Sequence, residues 1–184
     1  MAAQHSHSFW EILNKRIVIT GPESSGKSTL AAWLAEEFSL PMASEYARIY
    51  LQKHGASYDE QTVIDMAKQH LIHQQEMVPA DAPLGIFDTD LLNYKIWCDV
   101  AFHYCDPSIL EGIEKESNHL YLICYPDLPW IPDPLREHPD DREMLFERHL
   151  AEIKNTGRPY FIIRGEGEQR MQSGKAAMSQ LISP

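Results

Sequence analysis

Basic residues are scarce in this chain: 16 lysines and arginines stand against 27 aspartates and glutamates, a formal net charge of -11 over 184 residues. A field of that sign repels phosphate polymers and anionic lipid, which argues against nucleic acid and bare membrane as partners. Cysteine is scarcer still. Cys98, Cys105 and Cys124 are 3 in number, an odd count with no close CxxC pair for zinc, so a reducing, cytoplasmic setting is the expectation. No uncharged run approaches the ~20 residues that span a bilayer, and the N-terminus lacks the apolar stretch of a signal peptide. His5 and His7 lie on that terminus with no third ligand and read as solvated rather than metal-binding. Neither excess polarity nor biased composition is present. With 43% hydrophobic and 23% charged residues, disorder and fibrous architectures are excluded. The expectation is a flexible segment over residues 1–14 and one domain over 15–184.

Periodicity then assigns elements. Arg16 to Thr20 (RIVIT), Leu84 to Asp88 (LGIFD) and Leu120 to Cys124 (LYLIC) are short apolar runs of the kind buried on both faces of a parallel sheet. Further strands are expected at Pro41 to Ser44 and Tyr160 to Ile163. Helices are expected from Lys27 to Phe38, from Tyr46 to His54 with a stop at Gly55, and from Leu91 to about Glu116. Ser57 with Glu60, and Asp140 with Glu143, have capping-box spacing and predict two more helix starts, the first helix ending near Pro79. Between Tyr125 and Pro139, YPDLPWIPDPLREHP holds five prolines and must be an exposed loop. Strands alternating with helices imply an α/β fold, a mostly parallel sheet covered on both faces.

The strongest motif is GPESSGKS, Gly21 to Ser28, which matches GxxxxGK[ST] and stands between a predicted strand and a predicted helix. Gly21 and Gly26 let the backbone turn its N–H groups inward, and the helix opening at Lys27 points its positive end at the same place. Gly21, Glu23, Ser24, Ser25, Gly26, Lys27, Ser28 and Thr29 therefore form a candidate site for nucleotide phosphates. Lys27 is expected on the β and γ phosphates and the Ser28 hydroxyl on Mg²⁺. Such a loop needs a carboxylate at the end of a neighbouring strand, and Asp88 fills that place as the second metal-site residue. Asp90, two residues on, would face the same way if the strand continued; capping of the next helix is the alternative.

Around this centre, Glu45 and Arg48 in SEYAR lie at a strand's carboxyl end, where ligands of open α/β sheets collect. Glu45 is a candidate base for a substrate hydroxyl, with Asp90 as its competitor. Arg48 is suited to hold a phosphate, or to pair with Glu45. In the proline-rich loop, Arg136, His138 and Arg142 are placed to bring mobile positive charge to a transferring phosphoryl group. Trp130 in that loop either closes over a substrate ring or holds the loop on the core. Trp33 and Trp97 read as core, and RGEGE, Arg164 to Glu168, offers a glycine-rich turn past an adenine ring.

GPESSGKST, SEYAR, FDTD, PDLPW and DPLREHPDDRE together resemble the ribosylnicotinamide kinase domain of the NadR family, from about Arg16 to the last helix. The resemblance implies a P-loop NTPase fold of the nucleoside/nucleotide-kinase kind, with a lid at about 125–142. It implies ATP with Mg²⁺ as phosphoryl donor and the 5′-hydroxyl of nicotinamide riboside as acceptor, giving nicotinamide mononucleotide. It also implies that Glu45, Tyr46 and Arg48 lie at the nucleoside, with Arg136 and Arg142 in the lid. NadR proteins carry an adenylyltransferase domain ahead of this module, some also a DNA-binding one; only 20 residues precede Gly21, so neither activity is expected of this chain. The expected function is thus an ATP-dependent small-molecule kinase. The alternatives are a nucleotide or deoxynucleoside kinase and an ATP-binding sensor with little turnover.

Overall fold

A computed structural model describes residues 14–182. The segment expected at 1–14, with its His5 and His7, lies outside them apart from Asn14. Five parallel strands, β1 (Lys15–Thr20), β2 (Met42–Ala43), β3 (Leu84–Asp88), β4 (His119–Cys124) and β5 (Tyr160–Ile163), form one sheet in the order β2-β3-β1-β4-β5. All four pairings are parallel. β1 runs down the middle with β3 and β4 on either side, so all three are closed off from water on both faces. That is why they read as unbroken apolar runs. The side chains nonetheless alternate: Ile17, Ile19, Ile86, Leu122 and Cys124 point to one layer, Val18, Phe87, Tyr121 and Ile123 to the other.

Seven helices cover the two faces among the described residues: α1 (Lys27–Phe38), α2 (Tyr46–His54), α3 (Glu60–Met77), α4 (Leu91–Ala101), α5 (Pro107–Lys115), α6 (Arg142–Thr156) and α7 (Gly167–Ile182). Leu30, Leu34, Ala177 and Met178 of α1 and α7 pack on the first layer, and Leu92, Leu145, Phe146 and Ile153 of α4 and α6 on the second. α2, α3, α4 and α5 share a further cluster around Met66, Tyr94 and Cys98.

Several expected boundaries move for local chemical reasons. The stretch from Leu91 to Glu116 is two helices, because Asp106 caps Ser108 N–H at 2.8 Å and Pro107, which has no N–H to lose, opens the second. α3 begins three residues after Ser57: Asp59 is its cap, accepting from Thr62 N–H at 2.8 Å, and Glu60 is its first residue rather than half of a capping box. α6 opens after Asp141 with no side-chain cap, so Asp140 and Glu143 form no box either. The strand at 41–44 shrinks to two residues. No helix among the described residues is long and apolar enough to cross a membrane.

Candidate active site

The carboxyl ends of β1 and β3 and the amino end of α1 converge on one cavity of about 420 Å³, lined at one end by Gly21 to Thr29. Here the chain turns as only glycine does freely. Gly21 has φ 130°, and a Cβ on it would stand 2.6 Å from the Cys124 carbonyl oxygen; Gly26, at φ 77°, precedes α1. Lys27 donates to the Pro22 carbonyl at 2.9 Å, and so does the Ser25 hydroxyl at 2.7 Å. The lysine is thus folded over the loop it belongs to, with the α1 amino end beneath it.

Asp88 lies behind Ser28 at the end of β3, only 2% exposed, and its Oδ1 has no hydrogen-bond partner. Burial first, then the charge of Glu45, raise its carboxyl to about 6, against the opposing pull of the Ser28 hydroxyl and of Lys27. An orphaned buried carboxylate oxygen beside a serine hydroxyl is the hard-oxygen donor set that suits a divalent cation such as Mg²⁺.

Asp90 does not join it. Thr89 takes φ 72°, which ends the strand's alternation and swings the next side chain away from the cavity. Asp90 is fully buried, caps Leu92 N–H at 3.1 Å, and accepts from His119 at 2.9 Å and Tyr121 at 2.7 Å. Its expected place at the substrate is therefore corrected: it holds α4 to β4.

The rest of the cavity is an aromatic and apolar chamber formed by Ala47 and Leu51 of α2, Tyr58, Tyr94 and Trp97 of α4, and Leu135. Trp97 packs against the cluster shared by α2 to α5, as expected, and also lines the cavity, while Trp33 of α1 packs on the core. Glu45 lines the same cavity, close enough to Asp88 on one side and Tyr94 on the other for its charge to act on both. Tyr46, one residue on, is outside: its ring faces Tyr50 at 6.4 Å and His73 at 5.6 Å. Helical geometry separates the two, since neighbouring residues lie about 100° apart around α2.

The proline-rich loop, residues 125–141, crosses over the phosphate loop and is pinned to it. Glu23 accepts from Glu137 N–H at 3.0 Å and His138 N–H at 3.2 Å; Ser24 Oγ accepts from Ile131 N–H at 3.0 Å and Arg136 at 3.3 Å. On the other side Tyr58 donates to Glu137 at 2.6 Å and Arg48 to Asp133 at 2.5 Å. Arg48 therefore pairs across 85 positions with Asp133 and not with Glu45. Arg136 and His138 line the cavity. Arg142 does not: it donates to the Leu128 carbonyl at 2.8 Å and lies 5.9 Å from the Trp130 ring centroid, with Arg136 at 6.0 Å. Trp130 does not line the cavity, and its ring is within cation–π distance of both guanidiniums. Both Arg142 and Trp130 are corrections to the expected site in this conformation.

Three contributors went unread in the sequence. Asn93 lines the cavity from the first turn of α4, accepts from Thr20 Oγ1 at 2.8 Å, and meets His149 of α6 at 3.4 Å. Burial holds His149 neutral, its pKa lowered to about 4. Arg170 of α7 is 1% exposed and spreads under the phosphate loop, donating to the carbonyls of Ser25 at 2.5 Å, Tyr125 at 2.9 Å and Gly165 at 2.6 Å, and to Asp127 at 2.7 Å. RGEGE is bound into this arrangement: Gly165 N–H donates to Asp127 at 2.7 Å, and Arg164 stacks 3.5 Å from the Tyr125 centroid.

Comparison with known proteins places this geometry. A family model described as an AAA domain matches residues 16–170. The trifunctional NAD biosynthesis/regulator protein NadR of Salmonella typhimurium is 30% identical over 126 residues, which is 66% of this chain and 31% of that protein. The chain thus spans under a third of that relative's length. Among solved structures, a NadR protein in complex with NR superposes with a TM-score of 0.77 at 20% identity, covering 91% of this chain and 50% of the other. A NadR protein in complex with NAD and AMP-PNP does so at 0.72 and 18%, covering 93% and 50%. Those likenesses are of fold.

Proposed function

We propose that this chain, which belongs to the AAA domain family, transfers the γ-phosphoryl group of ATP to a small hydroxyl acceptor, and that the acceptor is the 5′-hydroxyl of nicotinamide riboside. The observation that carries the reading is the lining of the 420 Å³ cavity, in which the phosphate loop, Glu45 and the aromatic side chains of Tyr58, Tyr94 and Trp97 share one space. A donor and an acceptor held in such a space meet in line, and positioning with charge neutralisation provides most of the rate in this chemistry. The likeness to proteins whose complexes hold NR and an ATP analogue favours nicotinamide riboside over other alcohols. So does charge: the acceptor is a cation and the chain carries -11.

In this mechanism the backbone N–H groups from Gly21 to Ser28 and the α1 amino end hold the donor phosphates. Lys27 leaves the Pro22 carbonyl to neutralise charge on them, and Arg136 adds charge from the lid, residues 125–142. Asp88 and Ser28 would hold Mg²⁺, which when bound would screen the charge of the donor phosphates. Glu45 accepts the proton of the acceptor hydroxyl as the new P–O bond forms and the bond to the ADP oxygen breaks. Tyr58, Tyr94 and Trp97 enclose the acceptor's rings and exclude water.

The test is ATP consumption by the purified chain across nucleosides, nucleotides and sugars, with product masses. Nicotinamide riboside should yield its mononucleotide, and Glu45→Gln should lower that turnover at least ~100-fold. Phosphorylation of a nucleoside monophosphate in its place would overturn the reading.

A further inference from the structure

We propose that Asp133, in the lid, sets the charge class of the acceptor by occupying the guanidinium of Arg48, so that an alcohol without a phosphate is admitted and a phosphorylated one is refused; the other arginine on the cavity wall, Arg136, is held at the phosphate loop by Ser24 Oγ. This rests on the reading of the chamber as the acceptor site. Arg48 lies on its wall, and left alone it would be a ready phosphate anchor of the planar, two-pronged kind. It is not alone. Its terminal nitrogen is 2.5 Å from Asp133 Oδ2, with the two side chains 40% and 17% exposed.

The pairing is built into the lid. Asp133 Oδ1 accepts from Leu135 N–H at 3.0 Å, and Arg136 N–H donates to the Asp133 carbonyl at 3.0 Å, so a tight turn fixes the carboxylate where it stands. Arg48 and the Leu135 N–H both hold the Asp133 carboxyl below its ordinary range, and it stays charged throughout the neutral region. A phosphate that claimed Arg48 would have to displace this carboxylate or lie against it, with Glu45 and Glu137 adding their repulsion. A neutral or cationic nucleoside meets no such barrier. The same pairing acts after transfer: the product carries a new phosphate, finds Arg48 already satisfied, and is released instead of retained.

The test is direct binding of nicotinamide mononucleotide, by calorimetry, to the full chain preloaded with Mg²⁺ and ADP, the nucleotide that stands beside the product after transfer. Asp133→Asn keeps the shape and the Oδ1 acceptor of the turn while removing the charge. It should bind the mononucleotide roughly tenfold more tightly than the parent, and Arg48→Ala in the same chain should abolish that gain. Asp133→Ser, which also keeps a turn acceptor, gives the same comparison should the asparagine variant melt early. An unchanged affinity in both variants, or a gain that survives Arg48→Ala, overturns the proposal. Turnover of nicotinamide riboside by the parent is measured separately, so a wrong acceptor and a wrong role for Asp133 give different results.

Discussion

Replacing Arg170 with Met should cost about 4 kcal/mol of folding stability and loosen the phosphate loop from beneath. The number follows from what the side chain holds. Its guanidinium donates to three backbone carbonyls and to Asp127 from a position 1% exposed. A hydrogen bond from a charged donor is worth ~1.5–3 kcal/mol, and a buried pair broken on one side costs ~3–5 kcal/mol. The full sum is not lost, because Asp127, at 27% exposure, regains water and its charge is not stranded. The Ser25 and Tyr125 carbonyls lose their common donor, and methionine fills most of the volume. At ~2–4 °C per kcal/mol for a chain of this size, the midpoint of thermal unfolding should fall by roughly 8–16 °C. Urea unfolding followed by circular dichroism, with parent and variant at pH 7, gives the free energy directly. Arg170→Lys should recover less than half of the loss, since one ammonium does not span four acceptors in a plane. Because Ser25 is part of the phosphate cradle, KM for ATP should rise in both variants. A loss under ~1 kcal/mol for the methionine variant would refute the claim that Arg170 organises the loop.

What was legible in the sequence divides along a physical line. The three central strands announced themselves because burial on both faces demands an unbroken apolar run, and the phosphate loop because its function depends on backbone that only particular residues allow. Both are local demands. The positions of Glu45 and Asp88 at this edge of the sheet were legible because each stands at a strand's carboxyl end, which chain order reveals. Pairings between distant segments left no such trace: nothing near Arg48 points to Asp133, and an arginine in α7 reads as surface until the fold brings Asp127 and the Ser25 carbonyl to it. Asp90 was ambiguous for a third reason. Its direction depends on one dihedral angle, the positive φ of Thr89, and threonine carries no signal for that conformation. The capping boxes of α3 and α6 failed because Asp59 and Asp141 stood within two residues of the residues first chosen, and spacing alone does not rank neighbouring caps.

Lys27→Ala should lower phosphoryl transfer at least ~1,000-fold while moving the thermal midpoint by no more than ~2 °C, because the ammonium's hydrogen bond to the Pro22 carbonyl lies within its own loop. Activity that survives in a folded variant would show that the loop binds no reacting phosphate. Asp88 gives a prediction in which function and stability oppose each other. Its carboxyl is raised from 3.8 to about 6, so the folded chain keeps a proton that the unfolded chain has already lost. Asp88 therefore favours folding most below pH 3.8, and that contribution fades as pH rises to about 6. By ~3 kcal/mol at most, Asp88→Asn should be the more stable protein at pH 7, and the difference should close in acid. The ionised carboxylate is nevertheless the form that receives a cation, so kcat/KM with Mg²⁺ should climb through an acid limb that moves to lower pH as Mg²⁺ is raised and competes with the proton, and any residual activity of the asparagine variant should lack that limb. Urea midpoints from pH 4 to 8, taken on both proteins without metal, separate the two effects; an asparagine variant no more stable than the parent at pH 7 would show that the buried carboxylate carries no stored cost.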